Sequence, residues 1–426
     1  MRLMQIRPTA LACLAALAAG GPLSAGQQQD PPPPQQTPPV FRAGVDLVSV
    51  DVQVITDDGD PIVDLTAADF EVAIDGRPRR VASAELVRYA APDPAARPAA
   101  PIRTPGRLPA DARVFVLAVD LMGFTTGDIM PLRAAVRRFL DQLRPEDMIG
   151  LYPFPFNARG LDLTHDHQAL VPALERLVGM RDTRLGVFNM TPSEIVGITA
   201  SDQETTERVI SRECDPDDPS CPHAVRGEAS ALGTYLEGEA SQRIGGLLDL
   251  TGALAAIPGR KTVVLLSGSL ISSPASRGRP DVSGSLHRVG ELLSAAEVNL
   301  YTLHWDTSFL DAFSASHGLS RRPADRFLSL SADRHALAAG LELVTGKAGG
   351  ALLRVEAGTG DNAFTRVLRE TAAYYLLGIE PDARDRDGKP HVLRIRVTRR
   401  GATVRGRTHV LIPGGTSPLV SAGDWQ

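Results

Sequence analysis

Residues 113 to 130, RVFVLAVDLMGFTTGDIM, decide the fold. Val114 to Val119 is apolar at every position, and a strand reads this way when both of its faces are buried, as in a parallel sheet covered by helices. The run stops at Asp120. Leu132, Val136, Phe139, Leu140 and Leu143 then recur at helical spacing from Met130 to Leu143, with Arg133, Arg137 and Arg138 on the other face. A buried strand, a loop and an amphipathic helix make the first half of a β-α-β unit.

The same rhythm continues downstream. Met148 to Phe154 predicts a strand, and Gln168 to Val178 a helix with Thr164 or Asp166 as its cap. A helix over Arg243 to Ala256 meets a Pro258-Gly259 break before the strand Thr262 to Leu266. Helix Val282 to Ala296, strand Val298 to Leu303, helix Arg334 to Thr345 and a last apolar stretch, Gly349 to Val355, complete the series. Buried strands alternating with helices predict an α/β fold, a doubly wound, mostly parallel sheet over 111–356. Between its second and third helices lies a polar insertion, 181–242, which belongs on the surface, where insertions often carry binding.

Upstream, Val45 to Val54 and Phe70 to Ile74 alternate in the manner of strands, separated by turn residues at Asp57-Asp58-Gly59-Asp60-Pro61. They predict a small β module over 41–90, near the lower size limit for independent folding. The chain closes with Tyr374 to Ile379 and two further strands, His391 to Thr398 and Thr403 to Leu411, which Arg400-Gly401 would join as a hairpin. Neither piece can bury a face alone, so region 357–412, a helix and this hairpin, is expected to pack with the N-terminal strands as a small β-sandwich-like module. Pro- and Gln-rich 26–40 and Ala- and Pro-rich 91–110 read as linkers.

Arg2 and Arg7 precede an apolar run from Ala10 to Ala19, and Leu23-Ser24-Ala25 is a small-residue cleavage pattern, so 1–25 reads as a signal peptide. The expected location is exported, periplasmic or extracellular. Cys13 sits in a poor lipobox, and no later stretch approaches the roughly 20 apolar residues of a membrane span. Cys214 and Cys221, left in an oxidising compartment with only His223 beside them, are expected to form a local disulfide rather than a zinc site. A net charge of -5 provides no basic excess for nucleic acid.

Four pieces in this order resemble the von Willebrand factor A domain, and more narrowly the acidobacterial family of von Willebrand factor A-related exported proteins. They are the stretch around Val52 to Arg80 with ITDDGDPIVDLTAADFEVAIDGRPRRV, the strand ending at Asp120, GRKTVVLLSGSL at 259–270, and YYLLGIEPDARDRDGKPHVLRIRV near the C-terminus. The resemblance implies a Rossmann-like sheet with a Mg²⁺ site at its C-terminal edge, built from an Asp-x-Ser-x-Ser loop, a Thr from a later loop and an Asp after the fourth strand. In this chain the first loop is Asp120-Leu121-Met122-Gly123-Phe124, so a thioether and a phenyl group replace the two hydroxyls that a hard cation needs. Ser267-Gly268 stands where Asp-Gly is usual, and Thr183 follows ALERLVGMRD in the place of the loop Thr. Asp120 is then expected to serve as a turn residue bonding amides of Thr125-Thr126-Gly127, with Thr125 and Thr126 as substitute ligands if the loop shifts register. No essential metal or other cofactor is expected.

Other constellations have bland explanations. Gly259-Arg260-Lys261-Thr262 precedes a strand rather than opening a helix, unlike a phosphate-binding loop. His165-Asp166-His167 reads as solvated loop, and the acidic turns at Asp57 and Asp385 lack the bidentate Glu of a calcium loop. Ser267-Gly268-Ser269 is no Gly-x-Ser-x-Gly elbow. The resemblance and the missing ligands together imply a non-catalytic protein-interaction or adhesion module that meets a protein partner through Asp120, Thr125, Thr126, Thr183 and Ser267 and the insertion. The alternatives are an exported enzyme or accessory subunit with a site at this sheet edge, and a structural envelope component.

Overall fold

The computed structural model describes residues 47–89, 112–156, 161–182, 186–273, 278–308, 323–356 and 360–414, with backbone only over 323–328. The expected signal peptide, both linkers and Thr183 lie outside the described residues. The chain opens with strands β1 (Val48–Ile55), β2 (Phe70–Ile74), β3 (Arg77–Arg79) and β4 (Val81–Arg88). Strands β5 (Val114–Asp120), β6 (Met148–Phe154), β7 (Lys261–Ser267), β8 (Val298–Trp305) and β9 (Ala351–Val355) follow, and β10 (Ala373–Ile379), β11 (Pro390–Val397), β12 (Thr403–Gly406) and β13 (His409–Leu411) close it.

Strands β5 to β9 form a parallel sheet in the order β6-β5-β7-β8-β9. Every residue of β5, β7 and β8 is buried, because the sheet is covered on both sides. Phe115, Leu117 and Val119 point into a core shared with α1 (Ile129–Leu140), α2 (Val171–Glu175) and α8 (Gly360–Glu370); Val116 and Ala118 point into a core shared with α5 (Cys221–Ala255), α6 (Ser283–Ala295) and α7 (Pro323–Ala348). Each such apolar side chain contributes roughly 1.5–3 kcal/mol on burial, and β5 accordingly is apolar from Val114 to Val119. The order is that of a doubly wound sheet, and its direction reverses between β5 and β7.

The remaining strands form two four-stranded antiparallel sheets, β12-β1-β10-β4 and β13-β11-β2-β3. Val50, Val52, Val54, Phe70, Val72, Ile74, Leu377 and Leu393 fill one core between them, so N- and C-terminal strands make a sandwich together. The expected C-terminal hairpin is corrected, however. β12 pairs with β1 and β13 pairs with β11, so the two strands flanking Arg400-Gly401 go to different sheets. Only the end of the expected second strand, β13, returns to β11, while β12 and the rest of β11 find distant partners in β1 and β2, which local turn chemistry does not show.

The insertion is the larger correction. Helices α3 (Pro192–Thr199), α4 (Gln203–Glu213) and the first half of a 35-residue α5 occupy most of 181–242. Thr191 and Glu194 form a capping box at the start of α3, and Asp202 accepts the amides of Glu204 and Thr205 at the start of α4. Ile195, Val209, Val225, Ala229 and Leu236 bury a core of their own, and Cys214 and Cys221 are joined with a Cα–Cα separation of 5.7 Å, tying α4 to α5. Smaller differences concern the second helix, which splits into a 3-10 turn His167–Leu170 and the short α2, and α8, which packs on α1 through Phe139 and Phe364, 4.7 Å apart, rather than on the sandwich core.

In the sandwich, His391 lies between Asp75 (Nδ1 to Oδ2, 2.8 Å) and Asp387 (Nε2 to Oδ1, 3.0 Å). Both ring nitrogens can donate only in the imidazolium form, and the bond to Asp75 followed by that to Asp387 raises the His391 pKa, while burial opposes the rise. The nearby Asp385 carboxylate is held by Arg79. A group whose folded pKa is raised contributes stability that is complete below its unfolded pKa and is lost as pH rises through the folded value. The difference in thermal midpoint between the wild type and His391→Gln is therefore expected to shrink as pH is raised from 5.5 to 8.5, roughly the span across an imidazole titration. A difference constant across that range would show that folding leaves the imidazole pKa unshifted, and one that grows with pH would show a lowered pKa; either contradicts the pairing.

Candidate functional site

The carboxyl ends of β5 and β7 flank the switch point of the sheet, where ligands of open α/β sheets bind. The strand registers bring Phe154, Asp120, Ser267, His304 and Arg354 into one row at this edge, on the face covered by α5 to α7. Asp120 is the centre of the row. Its Oδ1 accepts the Gly123 amide (3.1 Å) and its Oδ2 accepts the Ser267 hydroxyl (2.7 Å).

The expected bonds from Asp120 to the Thr125-Thr126-Gly127 turn are thus corrected. Asp120 caps a single 3-10 turn, Leu121–Gly123, and the next turn is capped by Asp128, whose Oδ2 accepts the Thr125 amide (3.0 Å) and hydroxyl (2.7 Å). Thr126 donates to Gly179 O (3.4 Å) instead. Of the proposed site residues, Asp120 and Ser267 are brought together, while Thr125 and Thr126 bond elsewhere at the surface of the same loop.

Arg243 is a functional residue that sequence reasoning missed. This α5 residue is buried, donates from Nη1 to Ser269 O (2.7 Å) and from Nη2 to Met122 O (2.7 Å), and places Nε 3.7 Å from Asp120 Oδ1. One guanidinium therefore ties the loop after β5 to the loop after β7 and faces the carboxylate between them. Burial pushes the Asp120 carboxyl above the usual range; Arg243 first, then Ser267 and the loop amides, pull it back.

The residues present do not fit a divalent cation. Both Asp120 oxygens are engaged, and the neighbouring charge is a cation already. Met122 and Phe124 are buried, the latter edge-on to Trp305 at 6.4 Å between ring centroids, so both side chains serve the core. The loops also touch backbone to backbone. A Cβ on Gly123 would lie 2.8 Å from Asp120 Oδ2 and 2.9 Å from Gly268 N, and one on Gly268 would lie 2.3 Å from Gly123 O.

His304 was also missed. Its Nε2 lies 3.2 Å from Gly268 O, its Nδ1 has no partner among the described residues, and burial lowers its pKa, so the ring is neutral. Only its register beside Ser267 marks it, and register becomes visible with the sheet. Asp120, Ser267 and His304 are all at most 2% exposed, and the Ser267 proton is directed to Asp120 rather than to the imidazole.

Solvent meets a different set of side chains around these loops. Met180 N donates to Leu121 O and Arg181 N to Phe124 O (both 2.8 Å), so segment 178–181 runs beside the loop after β5. Val178 and Met180 from that segment, and Met130 from the first turn of α1, are more than half exposed. Arg133 connects the two, contacting Met130 Sδ and Leu177 O.

No protein-family model matches the chain, and no curated protein does. Among solved structures, it is similar to the VWA domain of SpRpn10, with 10% identity and a TM-score of 0.27 over 59% of this chain and 93% of that one. It is also similar to the human COPII-coat protein Sec24c, with 10% identity and a TM-score of 0.27 over 72% of this chain and 44% of that one.

Proposed function

We propose that the chain is an exported, non-catalytic protein-interaction module that meets a protein partner through the loops at the C-terminal edge of its parallel sheet, without a metal ion. The observation that carries this reading is Arg243, an internal cation that holds both loops and faces Asp120 where a metal-dependent module would need an ion. With the loops fixed from inside, the exposed apolar rim of Met130, Val178 and Met180 is presented on a prearranged frame, which reduces the ordering cost of association. The burial of Ser267 and His304 argues against catalysis at this edge.

The test is site-specific photocrosslinking in the native envelope and secreted fractions, with benzoylphenylalanine at Met180 and, as a control, at Leu411 in the sandwich. A discrete protein adduct at Met180 that survives EDTA and disappears when Val178 and Met130 are both changed to Asp supports the reading. An adduct that EDTA abolishes, or none at Met180, contradicts it.

A further inference from the structure

On the opposite edge of the parallel sheet, the last turns of α5 and α6 diverge and leave an open groove of ≈ 480 Å³. Leu248, Ala255, Ile257, Leu292 and Ala296 supply apolar walls, and Lys261, the first residue of β7, lines one end. Thr251 and Glu297 complete the polar part of the lining, the Glu297 carboxylate being paired with Arg407 (3.1 Å). The size is within the range of roughly 300–1,000 Å³ of small-molecule sites, and apolar walls with a few fixed polar groups are their usual makeup.

Lys261 is the unusual element. The residue is only 2% exposed, yet its Nζ makes a single hydrogen bond, to Ile257 O (2.7 Å), and has no ion-pair partner among the described residues. An ammonium can donate three such bonds, and a buried one without a counter-charge is costly. The nearest carboxylates are committed elsewhere. Glu297 pairs with Arg407 (3.1 Å), and Asp51 pairs with Arg407 (3.4 Å) and Arg260 (3.5 Å). The cluster thus sets three cations, Lys261, Arg260 and Arg407, against two carboxylates; Glu297 also borders the groove but is paired with Arg407, and Lys261 is the cation left without a carboxylate of its own. Burial lowers the Lys261 pKa, in keeping with a site short of one anion.

We propose that this groove binds a small amphipathic carboxylate, its head group received by Lys261 Nζ and its hydrocarbon chain laid between α5 and α6. The pairing satisfies the two free N–H groups and covers the apolar walls at once.

Decanoate is the probe, titrated calorimetrically into the folded protein below its micellar range, with decan-1-ol as the neutral control. Saturable one-to-one binding is expected, at least roughly tenfold weaker for the alcohol and for Lys261→Met, since a charge-assisted bond is lost in both. Lys261→Met should hold or raise the unfolding midpoint, because it removes a buried unpaired charge. Gly252 lines the groove, and a Cβ there meets nothing within 4 Å, so Gly252→Leu fills the space without a clash and should abolish binding whatever the fate of the Lys261 variant. Absence of saturable binding, equal affinity for the alcohol, or undiminished binding by Gly252→Leu would overturn the proposal.

Discussion

Replacing Arg243 by methionine is expected to lower the unfolding free energy by roughly 3–5 kcal/mol, the usual consequence of removing one partner of a buried ion pair. In a chain of this size that is a fall in thermal midpoint of about 5 °C. The side chain volume is nearly kept, so the loss arises from Asp120 left buried without its counter-charge and from Met122 O and Ser269 O left without donors. Arg243→Lys is expected to recover little, because one ammonium cannot span two carbonyls that a planar fork reaches together. Adding Asp120→Asn to Arg243→Met should restore part of the stability, since the amide no longer needs a cation. A double-mutant cycle by chemical denaturation measures this coupling. Strictly additive effects would mean that the pair does not interact.

The second large effect is expected at Glu370, where the sandwich meets the α/β sheet. Its side chain is fully buried; Oε1 accepts from Arg366 (2.7 Å), and Oε2 accepts from Arg405 of β12 (2.8 Å) and from the Tyr301 hydroxyl of β8 (2.9 Å). Gln53 of β1 donates to Glu370 O (2.8 Å) and accepts from Asn299 of β8 (3.0 Å), extending the network across the junction. Glu370→Ala should therefore destabilise by roughly 3–5 kcal/mol, and Tyr301→Phe by about 1 kcal/mol, the worth of one hydrogen bond. Burial, with Glu370 next, pushes the Tyr301 hydroxyl pKa well above the ordinary tyrosine value, so in an alkaline absorbance titration Tyr301 should ionise at lower pH in Glu370→Ala than in the wild type. An alanine variant as stable as the wild type would show that the junction holds without this carboxylate.

Much of the α/β layer was legible because burial on both faces leaves an unmistakable pattern. β5 is apolar through Val119 and β7 from Val263 to Leu266, and β8 keeps Val298, Leu300, Tyr301, Leu303 and Trp305 among its polar residues; all three are buried throughout. The long helix α5 was half missed for the converse reason. Its buried stripe, Val225, Ala229, Gly233, Leu236, Ala240, Ile244 and Leu247, keeps helical spacing, but small residues fill three of those positions and dilute the apolar signal. Asp120 and Ser267 could be placed at the same sheet edge from sequence because each ends an apolar run, and the structure bonds them to each other. Arg243 was not, since an arginine inside a helix carries no local mark of what it will face once the sheet has formed. That Met122 and Phe124 cannot ligate a hard cation was visible in the sequence; that Arg243 faces Asp120 is a property of the tertiary structure.

The most direct test is calorimetric titration of the wild-type protein with Mg²⁺ and Mn²⁺, with the thermal midpoint followed in each ion and in EDTA. A ligand that binds only the folded state must raise the midpoint by mass action. With Arg243 beside Asp120, no saturable heat and an unchanged midpoint are predicted up to millimolar ion. Saturable binding that Asp120→Ala abolishes would show that the carboxylate serves a metal after all, and the metal-independent account would fall.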